Sequence, residues 1–384
     1  MRGKFLTVAR VVVGGRAHLR RGQEFGLVAL ALAVVPGAAA SLALFTPAAA
    51  AKPPSCAVSN ERTHKGYDAL QNAVDAAKAG DTLEVKGTCV GSTSVGRDIT
   101  LSGIVNKAFP GTPTLDGNQS GRVLRITAGK TTIRDMVIAN GRTAGDGGAI
   151  LIDSGGSAAL FDTAVRDSTA GSDNFGGGIE AIGNLLLTRS EVTGNSAGSS
   201  GGIDDNGATV SLNSSTVSDN HATHAPSLTG DGCGFGDPLT IYACAGGIWN
   251  FGGTLTLIDS TVTHNTAGYR GGGLRTDGRV NAVGALVNGG TILGGSTTID
   301  TNSADNQGGG IWTRVRAPAP GNALVDPSVA FLVSDGSGSL TDPLTGAPVP
   351  AWTGSVTGNT PDQCFGLGFP TFSLGTHTCG ATFN

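Results

Sequence analysis

Ser190-Glu191-Val192-Thr193-Gly194-Asn195-Ser196-Ala197-Gly198-Ser199-Ser200-Gly201-Gly202-Ile203 contains two phrases that recur along this chain. The first is Val-x-x-Asn with a small residue two places on. It reads Val137…Asn140, Val192…Asn195, Val217…Asn220, Val262…Asn265, Ile299…Asn302 and Val356…Asn359, with a degenerate copy at Val165…Ser168. Successive copies are 28, 27 and 25 residues apart, then 45, 37 and 57 where insertions intervene. The second phrase, Gly-Gly followed by an aliphatic residue, interleaves with the first and ends at Ile150, Ile179, Ile203, Ile248, Leu274 and Ile311. A fixed period with one buried-type column and one amide column is the mark of stacked repeats. Short β-branched strands joined by glycine corners predict an all-β, right-handed parallel β-helix. In it the Val/Ile column fills the interior, and the Asn column forms a ladder of amides along the axis.

The 63 glycines therefore come with period and do not signal disorder. Residues 1–51 read as a secretory signal peptide. Basic residues from Arg2 to Arg21 precede an apolar run from Phe25 to Phe45 and the small-residue stretch up to Ala51. Of 25 Lys+Arg and 29 Asp+Glu, six and one lie in that segment, leaving the mature chain at net −9. Such a surface does not draw nucleic acid or anionic lipid. With no integral membrane segment after cleavage, a released, extracellular monomer is expected.

The ends of the stack need covers. Asp68-Ala69-Leu70-Gln71 matches a capping box, and Leu70, Ala73, Val74 and Ala77 form one apolar face. A helix over 68–79 stopped by Gly80 is predicted, within an N-terminal cap spanning 52–80. Coils then run over 81–360, beginning at Asp81-Thr82-Leu83-Glu84-Val85, with insertions near 223–245, 278–296 and 317–350, and a tail at 361–384. Six cysteines in a secreted chain predict disulfides. Order favours Cys56–Cys89, Cys233–Cys244 and Cys364–Cys379. The histidines His221 and His224 near the middle pair do not make a recognised zinc spacing.

The Gly-Gly-aliphatic and Val-x-x-Asn phrases resemble the repeats of polymorphic outer-membrane proteins and similar extracellular repeat proteins. The opening from Leu70-Gln71-Asn72-Ala73 to Gly80-Asp81-Thr82-Leu83 resembles the start of pectate-lyase-like β-helices. Together the resemblances cover most of 67–360, and they imply fold more than function, since that fold hosts lyases, hydrolases and adhesins alike. The polygalacturonase-type Gly-His-Gly and Arg-x-Lys are missing, and Asp204-Asp205 is the one fragment of that set present. The outer-membrane barrel of the first group is also missing.

Aligning the coils on the aliphatic residue places its successor on the outside. That column reads Leu151, Glu180, Asp204, Trp249, Arg275, Trp312. Exposed Trp249 and Trp312 are expected to stack on sugar rings, and Arg275 to grip carboxylates. Glu180 and Asp204, about 5 Å apart at one rung, suit a shared proton, a calcium ion or a catalytic carboxylate pair. Asp277 and Arg314 would widen the groove if the strand continued, and Asp231 and Asp237, flanking a Gly-rich loop, offer calcium too few ligands. Two functions follow. One is a non-catalytic protein that binds a polysaccharide or cell-surface partner along this stripe. The other is a polysaccharide lyase or glycoside hydrolase with Glu180, Asp204 and Arg275 as catalytic groups.

Overall fold

A computed structural model describes residues 55–223, 245–277, 290–305, 308–314, 331–334 and 336–360, and the strands at 279–280, 286–287, 364–367, 371–374 and 377–380. Residues 1–51, expected to be a signal peptide, and His224, Cys233, Cys244, Asp231 and Asp237 lie outside these residues, as do the side chains of Arg314, Cys364 and Cys379.

The chain is a parallel β-helix. One coil shows the plan: Ile179–Ala181, Asn184–Thr188, Glu191–Thr193 and Ser196–Ala197 each pair in parallel with the equivalent strand of the next coil. Among the described residues the first position builds an 11-stranded sheet, from Thr93–Val95 through Ile311–Arg314 to Cys364–Leu367 and the hairpin of Thr371–Leu374 and His377–Gly380. The second and third positions form a continuous 19-stranded set, and the fourth a ladder of 4 strands. Ile179, Ile203, Ile248, Leu274 and Ile311 stack inside the first sheet with no exposed surface. Val165, Val192, Val217 and Val262 do the same in the third.

The amide ladder is formed. Nδ2 of Asn195, Asn220, Asn265 and Asn302 donates to Oδ1 of the next asparagine at 3.0, 3.0, 2.9 and 3.0 Å, ending at Asn359. Its first expected member needs correcting. Ile138, not Val137, pairs with Val165 and is fully buried. The ladder position of that coil is Gly141, whose N–H donates to Ser168 Oγ at 3.0 Å. Asn140 instead takes a left-handed φ of 57° and donates to Asp116 Oδ1. A second, hydroxyl ladder runs beside the first. Backbone N–H groups of Thr163, Ser190, Ser215 and Ser260 donate to the side-chain hydroxyls of Ser190, Ser215, Ser260 and Thr297 at 3.1–3.3 Å.

The glycine pairs have a steric origin. A Cβ on Gly246 would stand 2.4 Å from the Gly272 carbonyl oxygen of the next coil, and one on Gly247 2.9 Å from Asn265 Nδ2. Positive φ falls on the glycine three residues before the aliphatic residue, as at Gly147, Gly176, Gly271 and Gly308.

The cap differs in detail from expectation. The helix is Leu70–Ala76, shorter than 68–79, and its N-cap is Ala69 without a side-chain bond. Gln71 is not available for a capping box, because its side chain bonds Asp75 and the backbone of Ser94. Leu70, Ala73, Val74 and Ala77 are buried as the periodicity requires. The cap also includes Cys56–Asn60, antiparallel to the first long strand Asp81–Val90, and Cys56 is bonded to Cys89 across that pair. Within the expected insertions, Arg279–Val280 and Leu286–Val287 form a hairpin, whereas Gly290–Gly294 is a regular strand of the second sheet. Val349 and Leu340, from the third insertion, pack on Ile258 and Ile292 outside that sheet, and Asp342 accepts from Ser211 Oγ at 2.8 Å. Among the described residues no helix is long and apolar enough to cross a membrane.

Candidate functional site

Glu180, Asp204, Trp249, Arg275 and Trp312 occupy consecutive rungs of the first sheet, each directly opposite the next. The column is therefore assembled as the glycine phrase implied, and Leu151 precedes it on the rung before Glu180. Its exposure is not as expected. Trp249 retains 3% of its surface and Trp312 none, and Glu180, Asp204 and Arg275 retain 1, 2 and 4%. The stripe is a packed spine instead of an open groove.

The physical reason lies in one-rung spacing, which brings neighbouring side chains close enough to satisfy one another. The Arg275 guanidinium carbon lies 4.7 Å from the Trp249 ring and 4.3 Å from the Trp312 ring, a cation held between two indoles. Asp277, two residues along the same strand, accepts from Trp249 Nε1 at 2.9 Å and from Arg275 Nε. It lies opposite Arg314, so the strand continues two residues beyond Arg275. Arg270 approaches Trp312 at 5.4 Å. Phe175 and Phe251 each pack on Trp249 with ring centres 5.5 Å away. Arg275 therefore occupies aromatic surface that a sugar would need.

At the other end of the spine Glu180 and Asp204 face each other. Glu180 Oε1 accepts a 3.4 Å bond from Asn206, but Glu180 Oε2 and Asp204 Oδ1 are buried with no hydrogen-bond donor among the described residues. Burial, followed by the charge of Asp204 and then of Asp146, pushes the Glu180 carboxyl well above the ordinary range. Burial and the charge of Asp205 raise Asp204, and Arg275 opposes them. Two buried carboxyls at adjacent rungs are satisfied when they share one proton. Phe175, which packs on Trp249, donates its backbone N–H to Asp146 Oδ1 at 3.0 Å.

Asp205, the next residue, points inward and is fully buried; its Oδ1 accepts from Ala208 N at 2.8 Å and so fixes the corner to the second sheet. Asn250 does the same for Gly253 one coil later. Neither role was read from the sequence; in both the side-chain oxygen accepts from the N–H three residues on. Among the described residues no cluster of three or more His, Cys, Asp or Glu is arranged to hold a metal ion. His221 and His264 are exposed, and each bonds a neighbouring threonine. Comparison with family models, with curated proteins and with solved structures yields no match for this chain.

Proposed function

We propose that this is a secreted, non-catalytic β-helix that binds a polysaccharide or a cell-surface partner on its outer coil faces. The observation that carries this reading is the placement of Arg275 between Trp249 and Trp312. The residues that would have gripped a substrate hold one another, so recognition falls to the exposed sides of the coils. Secretion is supported by the signal-like segment 1–51 and by Cys56–Cys89, a bond that persists in oxidising compartments. The extracellular-repeat resemblance points the same way.

One observation favours the second reading, a polysaccharide lyase or glycoside hydrolase of the pectate-lyase-like kind. Glu180 and Asp204 form a pair with raised pKa, as an acid–base couple requires. Catalysis there would need the buried pair to become accessible to substrate. The test is to incubate the secreted protein with a panel of polysaccharides, scoring retention and new reducing or unsaturated ends. Retention without product supports the binding reading. Product formation abolished by Glu180→Gln would replace it with the enzyme, and retention on nothing would overturn it.

A further inference from the structure

A groove of about 440 Å³ lies at the corner between the second and third sheets, on a side of the coil that the tryptophan stripe does not touch. Its wall is a column of three stacked corner residues, Asp135, Asp162 and Arg189. Asp135 N–H donates to Phe161 O and Asp162 N–H to Thr188 O, which sets the column at one residue per coil. All three have left-handed backbone, with φ of 58, 50 and 49°. Arg189 donates from Nε and Nη2 to the two Asp162 oxygens at 2.8 and 2.6 Å, so its guanidinium is fixed in the wall while Nη1 takes no part in the pair.

The floor is a second column, Val137, Ala164 and Glu191, in register across three rungs. Two half-buried apolar side chains are thus followed by an exposed carboxylate. Asp135 and Glu191 carry carboxylates with no hydrogen-bond partner among the described residues, whereas Asp162 is neutralised by Arg189. A strip of methyl groups beside planar acceptors and a guanidinium donor matches an amphipathic sugar ring. Its C–H face can lie on Val137 and Ala164 while hydroxyls donate to Asp135 and Glu191 and accept from Arg189. Two unpaired negative charges disfavour uronates.

We propose that this groove is a carbohydrate subsite for a short stretch of uncharged sugar chain. It rests on the binding reading above and gives that reading a location and a ligand class. The test is affinity electrophoresis of the full secreted protein in gels containing a neutral β-glucan, a mannan or a xylan, with polygalacturonate as the acidic arm. Wild type is expected to be retarded by at least one neutral polymer and not by polygalacturonate. Glu191→Gln and Arg189→Gly should each reduce that retardation about tenfold in apparent affinity, the loss of one or two charge-assisted contacts. Glycine suits the left-handed corner, and Asp135→Asn keeps it too, so a thermal melt of each variant separates loss of fold from loss of contact. Variants that fold and bind like wild type would overturn the groove while leaving the binding reading standing. Retention by polygalacturonate alone would overturn the ligand class. Retention by no polymer would overturn the groove and the binding reading together.

Discussion

Asn265 Oδ1 accepts two hydrogen bonds from Asn220, one from the backbone N–H at 3.1 Å and one from Nδ2 at 3.0 Å. The second Nδ2 proton of Asn220 goes to Val192 O, one coil back, at 2.9 Å. Each asparagine therefore ties three successive coils together. The amides rest on the glycine column, so the two sequence phrases are two halves of one device: Asn supplies the polar ladder and Gly leaves it room.

Replacing Asn265 with Leu should lower stability by about 1–3 kcal/mol for each buried group left without a partner. The groups at risk are the Asn220 backbone N–H, one Asn220 Nδ2 proton and the Val217 carbonyl, while Asn302 Oδ1 keeps its bond from the backbone N–H of residue 265. The control is Asn118→Gly. Asn118 is exposed, outside the ladder, with a left-handed φ of 50° that glycine adopts freely. Urea melts of both variants check this, and equal midpoints would refute the ladder's structural role.

Gly246→Ala should be at least as damaging, although it adds a single methyl to a φ that any residue tolerates. The methyl would enter the space of the Gly272 carbonyl oxygen and the Thr266 backbone, where neither atom has a flexible end to move. Gly66→Ala, with nothing within 4 Å, is the matched control. Thermal denaturation of the pair measures the difference.

The repeats were legible because both columns depend on side chains that one residue type satisfies best. Val/Ile and Asn keep their spacing wherever the interior demands them. The Ser190, Ser215, Ser260 and Thr297 ladder lies two residues before each aliphatic and was equally periodic, yet hydroxyl residues are so common in turns that the column does not stand out. Val137 was misassigned because Val and Ile are adjacent at 137–138 and both fit the phrase; only the strand pairing distinguishes them. The outward column was found in correct register, but its burial was not. Alternation gives the direction of a side chain and says nothing of what else packs on that face. A cation between two aromatics on adjacent rungs was the available clue that the face would close on itself.

Trp312→Ala should cost about 3–5 kcal/mol, as for a large aromatic removed from a packed interior, and Trp249→Ala should cost a comparable amount. An exposed sugar-binding tryptophan would instead leave the melt unchanged. Arg275→Met keeps much of the volume between the rings but leaves Asp277 without its guanidinium, so it too should destabilise. Chemical denaturation of the three variants decides between packing and recognition.

Reducing Cys56–Cys89, or replacing both residues with Ser, should lower stability by about 2–4 kcal/mol. The bond closes a segment of sequence separation 33 that includes the helix and the first strand of the stack. Loss should appear first as fraying at this end, so amide exchange of Val58 and Val85 should accelerate before that of Val217 in the middle of the solenoid. Uniform acceleration along the chain would argue against a local clamp.

The carboxyl pair predicts an unusual pH profile. Glu180 and Asp204 are both raised in the folded protein above their unfolded values of about 4. Over the interval between unfolded and folded pKa, the folded state holds protons that the unfolded chain has released. Their contribution is therefore fully present below the unfolded values and is lost as pH rises through the folded ones. Asp81 acts in the opposite sense. Bonds from Arg62, the Lys78 backbone N–H and Asn60 hold it far below the ordinary carboxylate range, so its contribution is present above about pH 4 and lost in stronger acid. From mildly acidic to alkaline pH the Asp81 contribution is constant and the pair governs the slope, so the melting temperature should fall. Glu180→Gln replaces the shared proton with a permanent N–H donor toward Asp204 while keeping shape. Its melting temperature should depend less on pH, exceeding wild type in alkali and losing that advantage in acid. Parallel profiles for wild type and Glu180→Gln would show that the two carboxyls do not share a proton.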